Sequence, residues 1–241
     1  MKIDPNNLRK HVLDMVYSKQ SGHIGGSFSI AEIIAYLYSN YNLIEPLKDK
    51  LILSKGHAVP ILYAALYELG VIDTLDNFRE VNSPLQGHPD KIRLPYMHAT
   101  TGALGQGLSI SIGHALACKT KNLSNNIFCI LGDGEIQEGQ IWEALMYAAH
   151  NNINNLIITI DYNGQQIDGP VDEINSLKNL QKKFKSFGWN VVESDGNNID
   201  DIIKTINQAK EMLKKKLPVV NIMKTIMGKG VDFMENSHKW H

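Results

Sequence analysis

The sequence is poor in several things. It has two cysteines in 241 residues, Cys118 and Cys129. Two cannot build a disulfide framework, and both lie in apolar or alanine-rich surroundings, so they read as reduced core residues of a cytoplasmic protein. It has no excess of one charge. The 24 Lys and Arg against 25 Asp and Glu leave a net −1, which argues against nucleic-acid binding by bulk electrostatics. It has no long hydrophobic run. The longest, Ala58–Tyr67, covers ten residues and contains Pro60, well short of the ~20 that span a membrane. The N-terminal stretch MKIDPNNLRK lacks the apolar core of a secretory signal. No repeat or low-complexity tract is present. Hydrophobic residues at 43% and charged residues at 20% are ordinary for a globular chain.

Helical and strand-like segments alternate along the chain. Asn6 or Asn7 is the candidate cap of a first helix carrying Val12, Met15 and Val16 at helical spacing. A glycine-rich break, SGHIGGS (21–27), follows, and helical spacing resumes from Ser29 to about Tyr38. Leu51–Leu53 is a short apolar run ending at SKGHA, and Pro60–Leu69 reads as helix. Residues 73–101 form a long irregular stretch, which in a compact fold is usually functional. A small-residue helix is expected from Gly105 to Ala117. Ile127–Leu131 and Leu156–Ile160 read as buried strands, with helical spacing over Glu138–His150 between them. Trp189–Val192 and Val219–Met223 are further strands, with a helix over Asp200–Lys215 between them. Lys210 and Lys214–Lys216 fall near the end of that helix, where cations complement its dipole. The pattern is α/β: one doubly wound, mostly parallel sheet with helices on both faces.

The most informative stretch is GDGEIQEG (132–139) followed by DYNG (161–164). Asp133 and Asn163 each follow an apolar strand, with one helix between. In a βαβ unit both fall at the carboxyl edge of the sheet, where open α/β sheets bind ligands. A carboxylate and an amide oxygen are hard ligands suited to Mg²⁺, which commonly completes its octahedron with phosphate oxygens. Gly132 and Gly134, flanking Asp133, let the backbone approach a diphosphate. The helix start near Glu138 adds oriented N–H groups. A lone GDG would mean little, because Asp-Gly pairs mark turns. The rival phosphate motifs fail: there is no G-x-x-x-x-G-K-[ST], and GALGQG (102–107) lacks the order G-x-G-x-x-G.

GDG followed by the Asn turn is similar to the thiamine diphosphate signature. The wider chain resembles the N-terminal, diphosphate-binding domain of the transketolase family. The matching stretches are SGHIGGSFS (21–29), LSKGHA (53–58), GHPD (87–90), TTGALGQG (100–107), GDGEIQEGQIWEA (132–144), DYNGQQIDG (161–169) and KTIMGKGVDFMEN (224–236). The resemblance implies that Asp133 and Asn163 bind a metal, Mg²⁺ or else Ca²⁺ or Mn²⁺, through their side chains, and Gln165 through its carbonyl. It puts Gly132 and Gly134 against the diphosphate, Ile167 near the thiazolium, and Gly102 and Leu104 along the aminopyrimidine. His23 would face the reacting carbon and the sugar hydroxyls, His57 would reach the diphosphate and substrate, His88 would contact the donor sugar's hydroxyls, and the terminal His241 would sit by the diphosphate or substrate. Ketol transfer moves protons on hydroxyls near neutral pH, a task imidazole suits. Taken singly, each of these histidines would more often be structural. His11, His98, His114, His150 and His238 receive no role. Glu138 and Glu143 would lie at a subunit interface, where Glu138 joins a carboxylate network.

The resemblance also implies an absence. In this family the glutamate that activates thiamine diphosphate belongs to a pyrimidine-binding domain, and residues 1–241 leave no room for one. The expectation is a split transketolase. This chain would be its N-terminal subunit, with the pyrimidine-binding domain on a separate C-terminal subunit, in an assembly with two copies of each. It would carry a two-carbon ketol unit from a ketose phosphate to an aldose acceptor. Two other readings compete: a subunit of another thiamine diphosphate enzyme, of the 2-oxo acid dehydrogenase or deoxyxylulose phosphate synthase type, or a non-catalytic cofactor-binding module. The other enzymes share GDG and the Asn turn but do not typically show SKGHA, GHPD and TTGALGQG together. A degenerate module would be expected to lose the metal ligands or histidines retained here.

Overall fold

The computed structural model describes residues 2–241. The chain opens with α1 (Pro5–Lys19), α2 (Gly25–Phe28) and α3 (Ala31–Asn40), then β1 (Lys50–Leu53) and α4 (Pro60–Glu68). After an irregular segment come α5 (Gln106–Thr120), β2 (Ile127–Gly132), α6 (Gly139–His150) and β3 (Leu156–Tyr162). A small hairpin, β4 (Gln165–Gln166) and β5 (Gly169–Pro170), leads to α7 (Val171–Asn175) and α8 (Leu180–Ser186). The last elements are β6 (Asn190–Asp195), α9 (Ile199–Leu213) and β7 (Val219–Lys224).

Five strands form one parallel sheet in the order β1-β2-β3-β7-β6. Parallel strands need crossovers, and helices laid on both faces bury them on both sides. Alternation then divides the core in two. Leu51, Leu53, Phe128, Ile130, Ile157 and Val219 point to the layer of α1, α3, α4 and α9. Ile52, Ile127, Cys129, Leu131, Ile158, Ile160 and Val220 point to the layer of α5, α6 and α8. Both cysteines are free and buried. Among the described residues, no helix is long and apolar enough to cross a membrane.

The α/β, doubly wound expectation is met, and residues 73–101 are indeed free of helix and strand. Three local expectations are corrected. The cap of α1 is Asp4, not Asn6 or Asn7: its carboxylate accepts the Asn6 N–H at 2.8 Å, and Pro5 takes the first helical position. The glycine-rich break is partly helical. Gly25 and Gly26 start the one-turn α2, where a side chain on Gly25 would meet the Trp240 carbonyl oxygen at 2.5 Å. Helix α3 starts at Ala31 rather than Ser29, because Ser29 donates to a buried carboxylate, Asp161 Oδ2, at 2.6 Å.

His98 closes the irregular segment onto β1, its Nδ1 lying 3.0 Å from the Leu51 N–H nitrogen. Burial is the main cause that pushes its pKa from 6.5 down to about 4. The unfolded chain therefore binds this proton more tightly than the folded one. The stability this histidine contributes is present above pH 6.5 and is lost as pH falls toward 4. Thermal melts of wild type and His98→Gln across this range should show the wild-type advantage largest above pH 6.5 and shrinking toward pH 4.

Candidate active site

The carboxyl ends of β1, β2, β3 and β7 open into one cavity of about 400 Å³. Its lining includes His23, His57, His88 and His241, Gly102 and Leu104, Gly132, Asp133 and Gly134, and Asn163, Gln165 and Ile167. Glu138 is at its exposed rim. Of the site residues expected from the sequence, Glu143 alone lies outside it, exposed on α6 with Met146 and Tyr147. These three fall at helical i, i+3 and i+4 positions, one exposed face. Ile167 is at the rim and 67% exposed, so its apolar surface is free to meet a ligand.

The strand ends explain the convergence. Gly132 of β2 pairs in register with Asp161 of β3, so the segments that follow them leave the sheet side by side. Asp133 is 2% exposed and accepts from the Gly164 N–H at 2.6 Å and from the Gly134 N–H at 2.8 Å. Asn163 Nδ2 donates to Asp161 Oδ2 at 3.1 Å, which leaves Oδ1 as the accepting end of the amide. That oxygen receives the Gln165 N–H at 2.9 Å.

The two aspartates differ in charge balance. Asp161, wholly buried, forms an ion pair with Lys55 and accepts from Ser29 and Thr225. Asp133 has no such cation: among the described residues, none of the ion pairs includes it. Burial, and then the Asp161 charge, push its pKa up to about 7 against the backbone N–H groups and the more distant Lys55 charge, which favour the anion. A buried carboxylate outside any ion pair, in one cavity with the Asn163 amide, fits a hard divalent ion. Among the described residues, no group of three or more His, Cys, Asp or Glu could hold a metal by itself. The donor set therefore suits an ion that takes further oxygens from a phosphate-bearing ligand.

The histidines form a second group. The rings of His23, His57 and His241 sit 5.1–5.5 Å apart, centroid to centroid. Burial lowers His23, His57 and His88, and brings His241 down to about 4. Burial thus favours the neutral ring at each of the four. Nδ1 of His23 and of His241 is buried without a hydrogen-bond partner, an arrangement that costs free energy until a ligand supplies one. His88 covers Gly102, where φ is +147° and a side chain would meet the imidazole at 2.9 Å. Glycine is required there for both reasons.

Sequence reasoning missed Lys55, Arg79, Glu135 and Asp161. Lys55 and Asp161 lie inside matching stretches, and a charge closing an apolar strand was the available signal for Asp161. Arg79 donates to Ser21 Oγ at 3.1 Å, and its charge helps to lower His23 and His88. Glu135 is buried, and burial raises its pKa against the pull of three hydrogen bonds.

The sequence model of the family described as "Transketolase, thiamine diphosphate binding domain" matches residues 3–241. The chain is 43% identical over 244 residues to the 6-deoxy-6-sulfo-D-fructose transketolase subunit SqwG of Clostridium sp. (strain MSTE9), covering 98% of this chain and 88% of that one. It is 36% identical over 249 residues to an apulose-4-phosphate transketolase subunit of Phocaeicola vulgatus, covering 100% of this chain and 88% of that one. The crystal structure of transketolase from Campylobacter jejuni superposes with a TM-score of 0.91 at 33% identity, over 98% of this chain and 39% of that chain. With the family match spanning nearly every residue and the cavity at the sheet edge the fold demands, the chain belongs to the transketolase family and is built as its thiamine diphosphate-binding domain.

Proposed function

We propose that this chain is the N-terminal subunit of a thiamine diphosphate-dependent transketolase. It transfers a two-carbon ketol unit from a ketose phosphate to an aldose acceptor. The observation that carries the proposal is the convergence in one cavity of Asp133, Asn163, the glycine turns and four histidines. Thiamine diphosphate, when bound, supplies the carbon nucleophile and electron sink for breaking a bond beside the ketose carbonyl.

The protein's part is binding, orientation and proton handling. Asp133, Asn163 and the Gln165 carbonyl would hold a divalent ion, Mg²⁺ in the first instance, and that ion would give Asp133 the close positive partner it lacks among the ion pairs. Gly132 and Gly134 leave room for the diphosphate. Gly102 and Leu104 face the aminopyrimidine, and Ile167 packs near the thiazolium. His23, His57, His88 and His241 take up and return protons at sugar hydroxyls. His23→Ala and His241→Ala are expected to lower kcat/KM by roughly 10²–10⁴-fold. The affinity of His23→Ala for thiamine diphosphate, measured by calorimetry, should stay near that of wild type.

The pyrimidine-binding domain and its activating glutamate are assigned to a companion C-terminal subunit, with two copies of each chain in the assembly. Two relatives named as subunits, each matched over 88% of its length, support this reading. Glu138 and Glu143 belong to the surface that meets other subunits. The enzyme works in the cytoplasm, a location compatible with its two free buried cysteines. The test is co-expression with the companion chain, followed by ketol-transfer assays over a panel of ketose donors and aldose acceptors. The paired protein should turn over and the isolated chain should not. Full activity of the isolated chain would refute the split arrangement.

A further inference from the structure

Glu135 stands at the centre of GDGEIQEG, yet neither the metal donors nor the histidines depend on it directly. Its side chain bridges three separate stretches of chain. Oε1 accepts from Ser54 Oγ at 2.5 Å and from the Gly105 N–H at 2.8 Å. Oε2 accepts from the Gly132 N–H at 3.1 Å. Ser54 begins the turn that carries Lys55 and His57. Gly105 ends the turn that carries Gly102 and Leu104. Gly132 precedes Asp133.

Gly105 is the N-cap of the 15-residue α5, adopts φ +84°, and has no side chain with which to cap the helix. The Glu135 carboxylate takes that role from another element, and its charge complements the positive end of the helix dipole. Other ties hold the flanks of the same turn. Thr101 Oγ1 donates to the Leu53 carbonyl at 2.6 Å, and Gln140 Nε2 donates to the Leu104 carbonyl at 2.7 Å. Glu135 is the group that joins this turn to the Ser54 turn and to the Gly132–Asp133 turn together. A buried carboxylate is costly, and packing alone would be served as well by an apolar side chain. A carboxylate suits this position because it accepts from all three turns at once.

We propose that Glu135 is a positioning residue for thiamine diphosphate: it locks the aminopyrimidine-facing turn to the diphosphate-facing turn before the cofactor arrives. This rests on the thiamine diphosphate reading above. The cost of ordering these turns is then met in folding rather than in binding, which raises affinity without touching the chemistry.

The test uses the complex with the companion subunit, titrated calorimetrically with thiamine diphosphate in the presence of Mg²⁺. Melting temperature and steady-state kinetics are recorded in parallel. Glu135→Ala is expected to raise the cofactor Kd by about 10- to 100-fold, the range seen when groups that orient a site's contacts are removed. Glu135→Gln keeps one accepting oxygen but turns an amide donor toward a backbone N–H, so it should fall between alanine and wild type. Ser54→Ala removes one donor and leaves both backbone ones, so its shift should be the smallest. In all three, kcat at saturating cofactor should stay within about threefold of wild type, because Glu135 acts through binding. If Glu135→Ala fails to fold, the other two variants decide. A wild type that binds the cofactor alongside Glu135→Gln and Ser54→Ala of unchanged Kd, even with lower melting temperatures, would overturn the inference alone. A wild type that takes up no thiamine diphosphate would overturn the cofactor reading and this inference together.

Discussion

Asp133→Asn should all but abolish Mg²⁺-dependent binding of thiamine diphosphate, lowering affinity by roughly 10²–10³-fold, in line with the several kcal/mol that a metal contact contributes. Ketol transfer should fall below detection at ordinary cofactor concentrations. Asparagine keeps the shape of the side chain and an accepting oxygen for the Gly164 or Gly134 N–H. It removes a charge that burial and Asp161 already disfavour, with the Asp133 pKa pushed up to about 7. The ligand-free protein should therefore melt at or above the wild-type temperature. Wild type should gain stability when cofactor and Mg²⁺ are added together, by mass action on the folded state, and the variant should gain none. Calorimetric melts with and without ligand read both effects in one experiment. An Asp133→Asn protein that is stabilised by cofactor and Mg²⁺ as strongly as wild type would remove Asp133 from the metal site.

The second large effect concerns stability. Lys55 and Asp161 are 2% and 0% exposed at the side chain, and form a buried ion pair. Lys55→Met removes the cation and leaves a carboxylate in the core. Breaking a buried pair from one side costs about 3–5 kcal/mol, because the remaining charge stays desolvated. For a chain of this size that is a fall of roughly 6–20 °C in melting temperature. The double variant Lys55→Met/Asp161→Asn should recover much of the loss, since the amide carries no charge and keeps one accepting oxygen, for either Ser29 or Thr225. Chemical denaturation of wild type, both single variants and the double variant gives the coupling directly. Additive single effects would show that the pair is not an energetic unit.

These two aspartates also show what the sequence disclosed and what it withheld. Apolar runs of strand length, each ending at a glycine- or asparagine-containing turn, made β2, α6 and β3 legible, and with them the placement of Asp133 and Asn163. The unbroken apolar runs of β2 and β3 and the 3.6-residue spacing of α9 are local information, carried within a few residues. The Lys55–Asp161 pair and the bonds of Glu135 to Ser54 and Gly105 are long-range facts. They join residues 106, 81 and 30 positions apart, and no short window contains them. The glycine-rich 21–27 segment misled for another reason. Propensity disfavours helix there, but close packing against Met227 and the Trp240 carbonyl stabilises the single turn of α2. At the start of α1 the better signal was Pro5, which marks the first helical position and so names Asp4 as the cap.

The most direct test is a crystal structure of the subunit pair grown with thiamine diphosphate and Mn²⁺, with anomalous scattering recorded to locate the manganese. A peak ligated by Asp133, Asn163, the Gln165 carbonyl and two diphosphate oxygens is the expected finding. A metal bound elsewhere, or a cofactor seated without contact to Asp133 and Asn163, would contradict the assignment on which the proposed chemistry depends.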